Sequence, residues 1–122
     1  MVNVMNIKES GLIVFMERFE EGLAFYTSKL GLPLRQRKAD LAILDFGGSY
    51  LMLEDRGVAS DREKTKAQNP VIIRLDVDPF EQAVEEIRDR GVDVTVRVFD
   101  WGTIGVIVDP EGNRIELKKA LA

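Results

Sequence analysis

The 122-residue chain contains no histidine and no cysteine. Those absences exclude Ser-His and Cys-His nucleophile pairs, an imidazole proton shuttle, imidazole metal ligands, disulfides and zinc-finger sites. Any chemistry must come from carboxylates, lysines, tyrosines, a borrowed cofactor or a metal held by oxygen ligands. Long apolar runs are also missing. The longest near the N-terminus, Gly11 to Met16, is too short for a signal-peptide core or a membrane span, and acidic residues flank it. A cytoplasmic protein with no membrane partner is expected. Basic residues are outnumbered, 17 against 21 acidic ones, giving a formal charge of −4 and a pI near 4.9. Nucleic acid is therefore not an expected partner, and cationic or neutral ligands are electrostatically easier to accept. What remains, 45% apolar and 31% charged residues, suits one soluble domain with one core.

The sequence contains two copies of one pattern. Shifting it by 61 positions places Leu12, Val14 and Met16 on Ile73, Leu75 and Val77, then Phe19, Leu23 and Tyr26 on Phe80, Val84 and Ile87. The first three matches are spaced by two and the rest by helical steps, so both copies change from strand period to helix period at the same point. The second helix carries Asp78 as N-cap, Pro79 at its first position, Glu81 three residues after the cap and Gly91 as terminator. The first, about Arg18 to Leu30, ends at Gly31 but has no Ser, Thr, Asp or Asn at its start.

Short runs broken by turn signals follow each helix. They are Pro33 to Lys38, Leu41 to Phe46 and Tyr50 to Leu53 in the first copy, and Val92 to Val98, Thr103 to Val108 and Arg114 to Leu117 in the second. Gly47-Gly48 and Asp109-Pro110-Glu111-Gly112-Asn113 read as hairpin turns, the second a type I turn closed by a glycine of positive φ. Each half thus reads strand, helix, three strands, giving an α+β fold. One domain over residues 1–122 is expected, with modules of about 1–55 and 70–122 and a linker of about 56–69. The polar, aperiodic stretch from Glu54 to Asn69 reads as a solvated connection, or else as a flap over a pocket.

Phe25-Tyr26 followed by Leu30-Gly31-Leu32, the run Leu51-Met52-Leu53-Glu54, the pair Trp101-Gly102, and Asp109-Pro110-Glu111-Gly112-Asn113 with Ile115-Glu116-Leu117 carry a resemblance in their order and spacing. The chain resembles the vicinal oxygen chelate superfamily, which includes glyoxalase I, extradiol dioxygenases, fosfomycin-resistance enzymes and bleomycin-resistance proteins. The resemblance implies two tandem βαβββ modules forming a cupped mixed sheet with the helices outside, and a homodimer. In metal-dependent members a divalent ion is held on the concave face by the first strand of each module and by the last strands. Those positions fall here on Gly11 and Ile72, on Met52 or, in another register, Glu54, and on Glu116. Only Glu116 clearly keeps a ligand type, and one carboxylate does not hold a first-row divalent ion. No cofactor is expected, and the resemblance is strongest to the metal-free, bleomycin-resistance-like branch.

Strand alternation separates the two faces. With Leu12, Val14, Met16, Ile73, Leu75 and Val77 toward the helices, the cupped side receives Gly11, Ile13, Phe15, Ile72, Arg74 and Asp76, together with Tyr50, Met52, Arg114 and Glu116. That mixed apolar and charged lining suits a ligand pocket. Arg74, set in an apolar run, needs an anion, and Glu116 is the nearest by topology; the pair is either structural or meets a charged ligand group. Trp101, the sole tryptophan, either packs or touches ligand, and in the bleomycin-resistance branch a Trp-Gly pair stands at the matching place. Phe99 is a further aromatic candidate, Phe46 reads as core, and Met52 adapts to ligand shape or fills a gap.

The candidate ligand-binding residues are accordingly Trp101, Arg74, Glu116, Met52, Tyr50, Phe15 and Phe99. The expected function is metal-independent binding of a small molecule, with sequestration of a cationic or aromatic antibiotic as its sharpest form. The alternatives are a metal-dependent lyase, isomerase or dioxygenase using Glu54 and Glu116, with Asp45 or Asp76 completing the set, and an accessory domain that binds a metabolite or a protein.

Overall fold

The structure is a computed structural model, and it describes residues 4–121. The period-two run near the N-terminus forms β1 (Gly11–Met16), and the change of period produces α1 (Phe19–Ala24), which continues as a wider π turn over Phe25–Lys29. Leu30 N–H donates to the Phe25 carbonyl at 3.0 Å, five residues back, which marks the widening. Strands β2 (Leu34–Arg37), β3 (Leu41–Asp45) and β4 (Tyr50–Asp55) complete the first module. The second repeats the order with β5 (Ile73–Val77), α2 (Phe80–Asp89), β6 (Thr95–Phe99), β7 (Gly102–Val108) and β8 (Arg114–Lys119).

Each module has its own four-stranded mixed sheet, ordered β1-β4-β3-β2 and β5-β8-β7-β6. In both, the first strand pairs in parallel with the last and the other pairings are antiparallel. Alternation sends Met16, Ala42, Leu44, Leu51 and Leu53 of the first sheet, and Ile73, Ile107, Ile115 and Leu117 of the second, into one shared core. Phe19, Leu23, Phe25 and Tyr26 from α1 and Phe80, Val84 and Ile87 from α2 close that core.

Three local expectations need correction. Asp78 does not cap α2: Pro79 holds the N-cap position with extended backbone, φ −78° and ψ 133°, and no side chain bonds to that helix end. Asp78 therefore lies one residue outside the turn it would cap. Glu54 and Asp55 belong to β4 rather than to the linker, because they continue the ladder opposite Phe15 and Met16. The linker, finally, is fastened rather than free. Gly57 N–H donates to the Met16 carbonyl (2.8 Å), Ser60 N–H to that of Glu111 (2.9 Å) and Lys64 N–H to that of Gly112 (2.8 Å). Asn69 Nδ2 also donates to Asn113 Oδ1 at 3.0 Å.

The corner between β7 and β8 receives the last three of these bonds and joins the modules. Glu111 is wholly buried, and its carboxylate accepts from the backbone N–H of Glu17 at 2.8 Å and of Arg18 at 2.6 Å. It thereby serves as the anion at the start of α1 that the local sequence lacks. Tyr26 Oη donates to Asp109 Oδ2 at 2.6 Å, while Asp109 Oδ1 accepts from the backbone N–H of Glu111 (2.9 Å) and of Asn113 (2.8 Å). Gly112 closes the turn with φ +89°, and a Cβ there would lie 2.5 Å from the Arg62 carbonyl oxygen.

Burial and the neighbouring Asp109 charge push the Tyr26 phenol well above its ordinary 10. An unfolded tyrosine ionises first as pH rises, so this contact is a stability term that is lost above about pH 10. Replacing Glu111 by Ala leaves two part-buried N–H groups without their acceptor and opens a void, with an expected cost of about 2–4 kcal/mol. Urea denaturation of Glu111→Ala against Glu111→Gln checks this, with the amide variant expected to retain part of the lost stability. Equal losses would show that accepting the two bonds, not filling the space, is what matters.

Candidate functional site

The sheet faces turned away from the helices carry the remaining polar and aromatic groups. On the first sheet, Tyr50, Met52 and Glu54 stand opposite Gly11, Ile13 and Phe15 in register. The Tyr50 ring lies over Gly11, where a Cβ would come within 2.4 Å of the ring carbons. Glycine is thus required by the close approach of this ring. Ile13 and Phe15 remain about half exposed, at 49% and 53%. Phe15 lines a 300 Å³ cavity with Gln68, Asn69, Val71, Asn113 and Arg114, where β1 faces the residues leading into β5.

On the second sheet the register sets Arg74 directly opposite Glu116. Arg74 Nε and Nη2 both donate to Glu116 Oε1, at 3.1 and 2.7 Å, and Arg114 Nε donates to Oε2 at 3.0 Å. The Glu116 carboxylate is nearly closed to solvent, while the Arg74 side chain is 44% exposed. Arg74 also meets Trp101, its Cζ lying 5.3 Å from the ring centroid. Trp101 sits at the tip of the β6–β7 hairpin and stacks on Phe99, with centroids 5.1 Å apart and planes 4° from parallel. Both rings keep large open areas. Phe99, Trp101, Arg74, Glu116 and Arg114 therefore form one continuous array.

Of the residues singled out from sequence, Trp101, Phe99, Arg74 and Glu116 are brought together on the second sheet, whereas Phe15, Tyr50 and Met52 lie on the first. Arg114, placed on the cupped side from sequence but not among the candidate ligand-binding residues, joins them. Its place two residues before Glu116 on the same face was the available signal. A larger cavity of 690 Å³ was also not foreseen. It lies between α1 with its π turn (Glu21, Phe25, Ser28) and β6–β7 (Arg97, Val106, Val108).

The positions that the resemblance assigns to metal ligands can now be placed. Gly11 lies under Tyr50, Ile72 just precedes β5, and Met52 and Glu54 both point to the open face, so alternation does not choose between them. Glu116 is held by two arginines. Among the described residues no three carboxylates gather in a way that could hold a metal ion.

A family model, the Glyoxalase/Bleomycin resistance protein/Dioxygenase superfamily, matches residues 11–117. The chain belongs to that superfamily. Solved structures agree in fold. A glyoxalase/bleomycin resistance protein/dioxygenase from Nocardioides is 22% identical, with 98% of this chain and 87% of that one covered and a TM-score of 0.74. The bleomycin resistance determinant encoded on transposon Tn5 is 19% identical, with 95% and 100% covered and a TM-score of 0.72. The oxidase ChaP-H2 is 18% identical, with 96% of each chain covered and a TM-score of 0.70. A comparison with curated protein sequences gives no match. Among the described residues no helix is long and apolar enough to cross a membrane.

Within this superfamily fold the Glu116 carboxyl experiences opposing effects. Burial pushes its pKa up, but the hydrogen bonds and charges of Arg74 and Arg114 outweigh burial and hold it below the ordinary 4.5. A carboxyl held low in the folded state contributes stability above its unfolded value, and that contribution is lost as pH falls through the folded value. Glu116→Gln is expected to cost about 2–4 kcal/mol near neutrality. Paired urea titrations should show the difference from the parent shrinking as pH drops below 4.5. A difference that stays constant over that range would mean that the carboxylate charge is not what the arginines hold.

Proposed function

We propose that the protein is a metal-independent small-molecule binding protein that holds a flat aromatic ligand against the Phe99–Trp101 stack and acts by sequestration as a homodimer. The observation that carries this reading is the stack itself: two parallel rings with open faces, fixed at one edge of a polar array. Exposed aromatic surface is costly to leave in water and offers stacking to a planar partner. A metal-dependent reaction has less support. Glu116 is already shared by Arg74 and Arg114, Asp45 is bound by Arg35 at 2.7 Å, and Asp76 stands in register with Lys118. Among the described residues no set makes up a divalent-ion site, which needs several free oxygen ligands converging on one point.

The dimer reading rests on Ile13, Phe15, Val71 and Ile72, apolar residues that a single chain leaves exposed. A second copy of the chain would cover them. Sedimentation equilibrium is expected to give twice the 13.8 kDa chain mass, and Phe15→Glu to shift it toward the monomer. A parent protein that remains monomeric at tens of micromolar would remove this part of the proposal.

Because Trp101 is the only tryptophan, its fluorescence reports on the proposed contact alone. Titration with simple planar aromatics is expected to quench it, and Phe99→Ala to weaken binding by about tenfold, or roughly 1.4 kcal/mol. Absence of quenching, together with absence of heat by calorimetry, for every ligand would overturn the binding reading. So would a stoichiometric divalent metal that survives dialysis of protein isolated without chelator.

A further inference from the structure

The chain is acidic overall, but its acidic excess is not at the aromatic stack. Glu20, Glu21, Glu81, Glu85, Glu86 and Asp89 are exposed on the two helices. On the open face of the second sheet the register instead gathers Arg74, Arg97, Arg114 and Lys118 against only Asp76 and Glu116. Beside Glu116 a 300 Å³ cavity adds Lys64 and Lys66 from the linker, with Glu63 as its only further acid. The local balance is thus positive, opposite in sign to the whole chain. Side chains within a Debye length, about 8–10 Å, govern what a bound ligand meets.

The hydrogen bonding shows the same imbalance. A guanidinium and a carboxylate pair most completely through two parallel N–H···O bonds. Here Arg74 spends both of its bonding donors on one oxygen, Glu116 Oε1, because Oε2 is taken by Arg114. The Glu116 carboxylate is divided between two guanidinium groups, and of the two only Arg114 has a second carboxylate, Glu63, with Nη1 3.6 Å from its Oε2. Among the described residues Arg74 Nη1 makes no hydrogen bond, and the same guanidinium contacts the Trp101 ring. Cationic donors left over beside an open aromatic face match a second anion attached to a planar group.

We propose that the ligand is an aromatic anion, its ring on Phe99 and Trp101 and its carboxylate or phosphate on the cationic cluster of Arg74, Arg114, Lys64 and Lys66. This rests on the binding function proposed above and reverses the ligand charge that the net composition favours. A cationic ligand would have to approach an aromatic face whose neighbouring guanidinium repels it.

Calorimetry with four probes of one ring system tests the charge separately from the ring: naphthoate, naphthyl phosphate, neutral naphthamide and naphthylmethylammonium. The two anions are expected to bind at least about tenfold more tightly than the amide, and the ammonium more weakly still. Comparison of the two anions identifies which anionic group the cluster accepts. The double variant Lys64→Gln/Lys66→Gln lies outside the core, and Lys64 anchors the linker through its backbone. It should lose several-fold in anion affinity and leave naphthamide binding unchanged. If the amide or the ammonium binds as well as the anions do, the charge assignment falls while ring binding stands. If no probe binds, the binding function falls and this inference with it.

Discussion

The Glu111 carboxylate on the backbone N–H groups of Glu17 and Arg18 is the contact on which the rest of the molecule depends. A helix start leaves N–H groups without partners, and burying them unpaired costs free energy comparable to a lost hydrogen bond each. The first module has no residue of its own that caps α1. The second supplies one from a corner held rigid by Asp109, which bonds Tyr26, Glu111 and Asn113 together. Neither module completes its hydrogen bonding alone, so the two sheets share one core and one mutual orientation. The linker follows from the same constraint, since its backbone N–H groups donate to the corner's carbonyls. Arg114 begins β8 immediately after the corner and grips Glu116. The geometry of the polar array is therefore set at the junction between modules.

The repeat, the eight strands and both helices were legible because period is a local property of side chains. The missing cap was legible too, but only as an absence. Its supplier lies 94 residues away from Glu17, and no spacing rule reaches that far. The linker was misread for a related reason. Its side chains are polar and aperiodic, which is what a loose connection looks like, whereas its order comes from backbone donors that every non-proline residue has. Asp78 failed as a cap because Pro79 itself takes the extended N-cap conformation, which displaces the aspartate by one residue.

At the site, legibility followed topology. A parallel pair of first and last strands puts Arg74 opposite Glu116 in register, so their contact could be read from the repeat alone. The stack of Trp101 on Phe99 could not, because it depends on how the β6–β7 hairpin tip turns back. Alternation also assigned Phe15, Tyr50 and Met52 to the same type of face as Arg74, but a shared type of face is not a shared place. They belong to the first sheet, where Tyr50 packs on Gly11, and of the three only Phe15 shares a cavity with a member of the array, Arg114. Pattern decides which side of its own sheet a residue occupies, while only the packing of two sheets decides which residues meet.

That distinction also separates the net charge of the chain from the charge beside the stack. Long-range attraction depends on summed charge and falls away over the screening length, whereas a seated ligand feels the groups that touch it. A repeat of this kind can separate the two, because its acidic residues lie on the exposed faces of the helices and its basic residues on the open face of the second sheet. Acidic residues on the helices lower the pI, and the register of β5 and β8 places Arg74 on Glu116 beside the stack. Glu116 illustrates the consequence. In isolation it looks like the last ligand of a lost metal site; with Arg74 and Arg114 on its two oxygens it leaves the array cationic. Where a divalent ion would have attracted oxygen ligands from a substrate, the guanidinium groups present anion-binding donors instead. The two arrangements favour related ligand atoms by different chemistry, one by Lewis acidity and the other by charge-assisted hydrogen bonds.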